Sequence, residues 1–118
     1  TSPIRKKQQL INALKKVIKN KYDGSWSVTK ISQKYNFLKL LKIYKNKLYL
    51  INNNGKKVIA RQMLKPNYIR NGVFYIFETK KLIKAKSIYL NKIFPSITNY
   101  KIANIDNLED LKNARELI

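Results

Sequence analysis

The chain has 118 residues and 13.9 kDa, with 44% hydrophobic residues, 11% aromatics, three prolines and three glycines, which suits one small globular domain and excludes a disordered or collagen-like chain. It has neither cysteine nor histidine, so disulfide frameworks, thiolate zinc sites, imidazole ligands and histidine-based triads are excluded together, and any metal must be held by oxygen. The net charge is +20, the kind of balance that prompts a nucleic-acid reading. Of the 26 basic residues, however, only Arg5, Arg61, Arg70 and Arg115 are arginine and 22 are lysine, whereas base-edge and bidentate phosphate readers lean on arginine. The acids are unevenly placed: Asp23 and Glu78 stand alone, while Asp106, Glu109, Asp110 and Glu116 crowd the C-terminal segment.

No apolar run approaches the roughly 20 residues of a membrane span. With no membrane expected and no leader-like h-region, the sequence reads as a soluble protein, and its start at Thr1 reads as a piece of something longer. Thr1 and Ser2 precede Pro3 as potential caps, and Leu10, Ile11, Leu14, Val17 and Ile18 recur on one helical face, predicting a helix over 7–20. The Asp23-Gly24 turn pair leads into a β-rich strand from Ser25 to Ile31. Two apolar runs, Phe37 to Tyr44 and Lys47 to Ile51, flank Lys45-Asn46 and end at Asn52-Asn53-Asn54-Gly55, which predicts a hairpin or an arm built from one. A short strand is expected from Val58 to Arg61.

Asn71-Gly72 reads as a turn introducing Val73 to Phe77, an unbroken apolar run expected to be a central strand covered on both faces. Thr79 is placed to cap a short helix through about Ala85, an irregular stretch crosses Phe94-Pro95, and Lys101 to Ile105 reads as a further strand. A last helix follows Asn107, with Asp110 at its third position and Leu108, Leu111, Ala114, Leu117 and Ile118 as its apolar stripe. This order points to an α/β fold, a sheet interrupted by an excursion. Gly24, Gly55 and Gly72 are isolated, so no Gly-rich phosphate loop is present and any nucleotide cradle would lie upstream.

One constellation carries a family resemblance: Thr1-Ser2-Pro3-Ile4-Arg5, Ser27-Val28-Thr29, Arg61-Gln62-Met63-Leu64, Asn71-Gly72-Val73-Phe74-Tyr75-Ile76, and Ile105-Asp106 before Glu109-Asp110-Leu111. In order and spacing these resemble the C-terminal half of the acylneuraminate cytidylyltransferases, the CMP-sialic acid synthetase family. The resemblance implies a partial doubly wound, mostly parallel sheet of the nucleotide-diphospho-sugar transferase kind, a single domain over 1–118 with an inserted β-hairpin dimerisation arm over 35–62. It implies a cytoplasmic enzyme that transfers CMP from CTP to the anomeric hydroxyl of an acidic nine-carbon sugar, releases pyrophosphate and requires Mg²⁺. This chain would be the sugar-binding and homodimer-forming half, inactive by itself.

By position, the resemblance gives Arg61 the sugar carboxylate, Asn71 and Tyr75 the sugar pocket, Tyr89 the acyl group and Ser2 a place near the ligand. It gives Asp106 and Asn104 the metal, although the family's Asp-x-Asp here reads Asn104-Ile105-Asp106 and Ile88 departs from the aromatic pair expected with Tyr89. Plainer readings stand beside these: Arg61 as a surface arginine, Tyr75 as strand core, Asp106 as a turn aspartate, Ser2 as a cap. The arm's many apolar side chains exceed what a lone hairpin hides; a second copy or the chain's own sheet would cover them. Two further functions stay open: a small basic nucleic-acid-binding domain with lysines interleaved by Tyr44, Tyr49 and Trp26, and a cytidylyltransferase for an eight-carbon acid sugar.

Overall fold

The computed structural model describes residues 2–117, so the capping role considered for Thr1 and the last member of the terminal apolar stripe, Ile118, lie outside the described residues. The chain forms two compact units: one is built from the residues up to Thr29 together with those from Arg70 onward, and the other from Lys30–Ile69. The architecture is mixed α/β. Among the described residues no helix is long and apolar enough to cross a membrane.

In the first unit, α1 spans Lys7–Lys19. Ala13 and Val17 are buried, while Leu10, Leu14 and Ile18, one turn apart, are exposed. The apolar stripe of the sequence is thus wider than the strip that packs, and its outer edge faces solvent. The N-cap is Lys6, without a side-chain cap bond, so Ser2 is not the cap: its hydroxyl donates to Asn104 Oδ1 instead. α1 is tied to its own sheet through Gln9, whose Nε2 donates to Thr98 Oγ1 at 3.0 Å and whose Oε1 accepts from the Tyr100 hydroxyl at 2.9 Å.

The sheet has the order β4-β1-β5, with β1 at Gly24–Lys30, β4 at Tyr68–Phe77 and β5 at Ile93–Ile97. β1 and β5 run parallel, Ser25 opposite Phe94 and Ser27 opposite Ser96. β4 runs against β1, since Gly24 lies against Ile76 and Ser27 against Phe74. The sheet of the described residues is therefore mixed rather than mostly parallel, and β1, not the apolar Val73–Phe77 run, is its centre. The reason lies in two serines. Ser25 and Ser27 are fully buried, and each hydroxyl is satisfied by a backbone carbonyl, Phe94 O at 2.9 Å and Phe74 O at 3.0 Å, so polar residues occupy the place where sequence patterning looks for branched apolar ones.

Three further expectations fail for local reasons. Phe94-Pro95 lies inside β5, because an edge strand tolerates a residue that cannot donate to the ladder. Residues 101–105 form no strand; the segment buries Ala103 and lends its Asn104 carbonyl to Ser2. The Asn71-Gly72 pair sits within β4 rather than before it: Gly72 takes φ +72°, a left-handed conformation that glycine adopts without strain, and Asn71 Oδ1 accepts the Val73 amide across it at 3.2 Å.

α2 covers Thr79–Ala85, and Glu78 rather than Thr79 is its N-cap. α3 covers Leu108–Arg115 and starts as expected, with a reciprocal capping box between Asn107 and Asp110. Its stripe is mostly open: Ala114 is buried, but Leu108 and Leu117 are exposed.

The second unit holds an antiparallel hairpin, β2 at Leu41–Tyr44 and β3 at Lys47–Leu50, in register with Tyr44 opposite Lys47. Lys45 and Asn46 both have positive φ, 47° and 57°, the twist that a two-residue hairpin turn needs. Buried Asn36 organises the rest, donating to Lys65 O at 2.8 Å and accepting from Leu38 N at 3.1 Å. The expected strand at Val58–Arg61 is absent; Arg61–Met63 form a single 3-10 turn.

Candidate functional site

The first unit carries a polar cleft of about 390 Å³ at the kink of β4. It is shallow and widely open, lined by Arg70, Asn71, Gly72 and Tyr75 from β4, Ser2 from the N-terminal segment, and Asn104 and Asp106 from the stretch before α3. Gly72 is suited to this place by its φ of +72°; a side chain there would have room, since a Cβ would stand at ordinary contact distance from Ser2 Oγ, but not an easy backbone conformation. The Ser2 hydroxyl reaches across to Asn104 Oδ1, and Arg5 Nε donates to Ser2 O at 2.8 Å, so the two segments are joined and the N-terminal segment is held down.

Five of the seven residues singled out from sequence therefore share one cleft: Ser2, Asn71, Tyr75, Asn104 and Asp106. Their situations differ. Asn71 is 4% exposed and spends its amide inside the protein, donating from Nδ2 to Thr29 Oγ1 and Thr98 Oγ1, each at 2.9 Å. It shapes the cleft by fixing the kink. Tyr75 is 42% exposed, so its ring is a wall of the cleft rather than interior core. Asp106 is exposed and engaged within the structure.

Tyr89 belongs to an adjoining aromatic cluster. Its ring stands 5.5 Å from Trp26 in an edge arrangement, and Trp26 in turn meets Tyr75 at 6.0 Å. The Arg70 guanidinium lies over both indole and phenol, 5.3 Å from the Trp26 ring centre and 5.6 Å from that of Tyr89. The seventh residue, Arg61, is exposed on the 3-10 turn of the other unit.

Sequence reasoning gave Arg70 no role and placed Trp26 only among the aromatics of the nucleic-acid alternative. Their signal was available in the scarcity of both: Arg70 is one of four arginines and Trp26 the single tryptophan.

Among the described residues no three acidic side chains, histidines or cysteines cluster. A divalent cation at this cleft would take Asp106 as its protein carboxylate, since Asn104 Oδ1 already receives the Ser2 hydroxyl.

The strongest electrostatic feature lies elsewhere in this unit. Asp23 accepts from Lys81 Nζ and, at 2.9 Å, from the Lys92 amide, and the lysine contact first and the amide second hold its carboxyl below the usual range. Lys81 is raised correspondingly by Asp23 and then by Glu78. The arrangement fastens the start of β1 to α2 and to the approach to β5, and it is a structural clasp.

No protein-family model matches this sequence, and no curated protein matches it.

Proposed function

We propose that this chain is the sugar-binding half of a nucleotidyltransferase that moves CMP from CTP onto the anomeric hydroxyl of an acidic nine-carbon sugar. The observation that carries the reading is the convergence of Ser2, Asn71, Tyr75, Asn104 and Asp106, drawn from three separate stretches of chain, on one polar cleft. Such convergence of an aromatic wall, small polar groups and a carboxylate is what a sugar site requires. The finer fold belongs to the same proposal: β4-β1-β5 is one side of a doubly wound sheet, and a preceding nucleotide-binding half would cover the exposed Leu10, Leu14 and Ile18 of α1.

In this reading Tyr75 gives the sugar ring an apolar wall and a hydroxyl partner. Asn71 holds the β4 kink that opens the cleft, and Ser2 closes it by bridging to Asn104. Asp106, with phosphate oxygens, would hold Mg²⁺, which when bound offsets the charge on the phosphates. The anomeric hydroxyl oxygen bonds to the α-phosphorus of CTP as its proton passes to solvent, the bond from that phosphorus to the oxygen bridging to the β-phosphate breaks, and pyrophosphate leaves with that oxygen.

The test is sugar-dependent release of pyrophosphate from CTP by the enzyme that contains this chain. Release with the nine-carbon sugar acid and none with a neutral hexose is expected; release independent of sugar, or none, overturns the reading. An eight-carbon acid sugar run in parallel assigns the acceptor length.

A second reading has one observation in its favour. Lys42, Tyr44 and Tyr49 line one hollow of the hairpin unit, with the Lys45 ammonium 5.4 Å over the Tyr44 ring, a pairing of cation and stacking surface that suits single-stranded nucleic acid. Binding of that kind weakens steeply with salt, whereas sugar binding does not, so an oligonucleotide titration at two salt concentrations decides for or against it.

A further inference from the structure

The cleft's own cation is Arg70, and four features of its setting bear on what it does. It stands on β4 directly before Asn71 and Gly72, so the kink that opens the cleft also sets the direction of its backbone. Its guanidinium lies against the edge-to-face pair of Trp26 and Tyr89, 5.3 and 5.6 Å from their ring centres, so both rings contact it from one side. No ion pair holds it among the described residues; the acids paired with lysine, Asp23 and Glu78, are engaged with Lys81. Finally, the stack is kept although Trp26 Nε1 is buried without a hydrogen-bond partner among the described residues, a cost the fold carries beside the cleft.

A guanidinium held from one side by two rings keeps its donor edge open to the cleft it lines, and that edge carries donors in the fork geometry that a carboxylate accepts. We propose that Arg70 binds the carboxylate of the cleft's ligand, with Trp26 and Tyr89 as the residues that position it. The ligand class is a hydroxylated carboxylic acid: the acid group meets Arg70, and the hydroxyl-bearing body lies along Tyr75 and Ser2. The proposal rests on the sugar-acid reading for the identity of that ligand, and it moves the recognition of the acid from Arg61 in the inserted unit to the cleft.

Trp26 is the single tryptophan and touches Arg70, so its fluorescence reports the site directly. The full chain is titrated with the nine-carbon sugar acid, with its C1 methyl ester, and with a small hydroxycarboxylate, in wild type, Arg70→Lys and Arg70→Gln. Expected for wild type is saturable binding of the acid and at least tenfold weaker binding of the ester. Arg70→Gln should lose at least tenfold for the acid and nothing further for the ester, while Arg70→Lys, which keeps charge but not the planar fork, falls between. The ester comparison needs no variant, so it stands even where a substitution loosens the stack. Equal binding of acid and ester by wild type, or an Arg70→Gln chain that binds the acid as wild type does, overturns the role of Arg70 and leaves the sugar reading intact. Binding of the small hydroxycarboxylate through Arg70 without binding of the sugar acid upholds Arg70 and overturns the sugar. Binding of neither overturns both.

Discussion

The Ser27 hydroxyl accepts the Phe74 amide at 2.9 Å and donates to the Phe74 carbonyl at 3.0 Å, so one side chain serves both backbone groups of a residue on the neighbouring strand. Ser27 is wholly buried, and its replacement by alanine withdraws the partner of two backbone groups of half-buried Phe74. Ser27→Ala is therefore expected to destabilise the fold by about 2 kcal/mol, within the range for unsatisfied buried groups. Chemical denaturation of both forms checks it; a difference under about half a kilocalorie would mean that Phe74 finds other partners.

The Asp23 clasp makes acid sensitivity a property of the fold. Its carboxyl is held below the ordinary value near 3.8, first by Lys81 and then by the Lys92 amide. A carboxyl whose pKa is lowered on folding contributes stability that is fully present above its unfolded pKa and is lost as pH falls through its folded pKa. The melting temperature is expected to be level with respect to this group above about pH 5 and to fall as pH drops below about 4. In Asp23→Asn the melting temperature should start lower at neutral pH and lose that part of the acid limb. Parallel acid limbs in the two proteins would remove the clasp from the account.

The hairpin unit presents Ile43, 75% exposed, and Leu48, 66% exposed, directly opposite each other in register. With Leu41, two residues along the strand and so on the same face, also exposed, the pair forms an apolar surface of the kind that a second copy covers. Self-association through this surface is expected, and Ile43→Lys should shift sedimentation towards monomer while the circular dichroism stays unchanged. A wild-type chain that remains monomeric at high concentration would disprove the homodimer.

What was legible in the sequence follows from which signals are local. The α3 start could be read because Asn107 and Asp110 satisfy each other's backbone across a single turn, and the hairpin because Lys45-Asn46 separates two apolar runs by the two residues such a turn takes. The centre of the sheet could not be read, because the burial of Ser25 and Ser27 depends on carbonyls some 50 to 70 residues away, at Phe74 and Phe94. Pro95 misled for the same reason: its acceptability depends on β5 lying at an edge, which is a property of strand order and not of the residue. In the cleft, Ser2, Tyr75 and Asp106 were singled out through the family resemblance, while Arg70 acquires its meaning from rings at positions 26 and 89 that only folding brings to it.

Arg61 and Arg70 divide the last expectation between them. The family resemblance would give the sugar carboxylate to Arg61, an exposed residue on the Arg61–Met63 turn of the inserted unit. In the proposal made from the cleft it would fall to Arg70, which lies against the Trp26 and Tyr89 rings. Truncating one member of a desolvated charge pair costs about 2–5 kcal/mol, whereas an exposed charge with no such partner costs within about 0.5 kcal/mol. In the complete enzyme, at saturating CTP, Arg61→Ala is expected to leave the dependence of initial rate on sugar concentration within about twofold of wild type, matching the smaller figure. Arg61→Lys should be indistinguishable from wild type, since no two-pronged contact is lost. A loss of thirtyfold or more in Arg61→Ala, with Arg61→Lys failing to rescue it, would return the carboxylate to Arg61 and require the inserted unit to complete the sugar site.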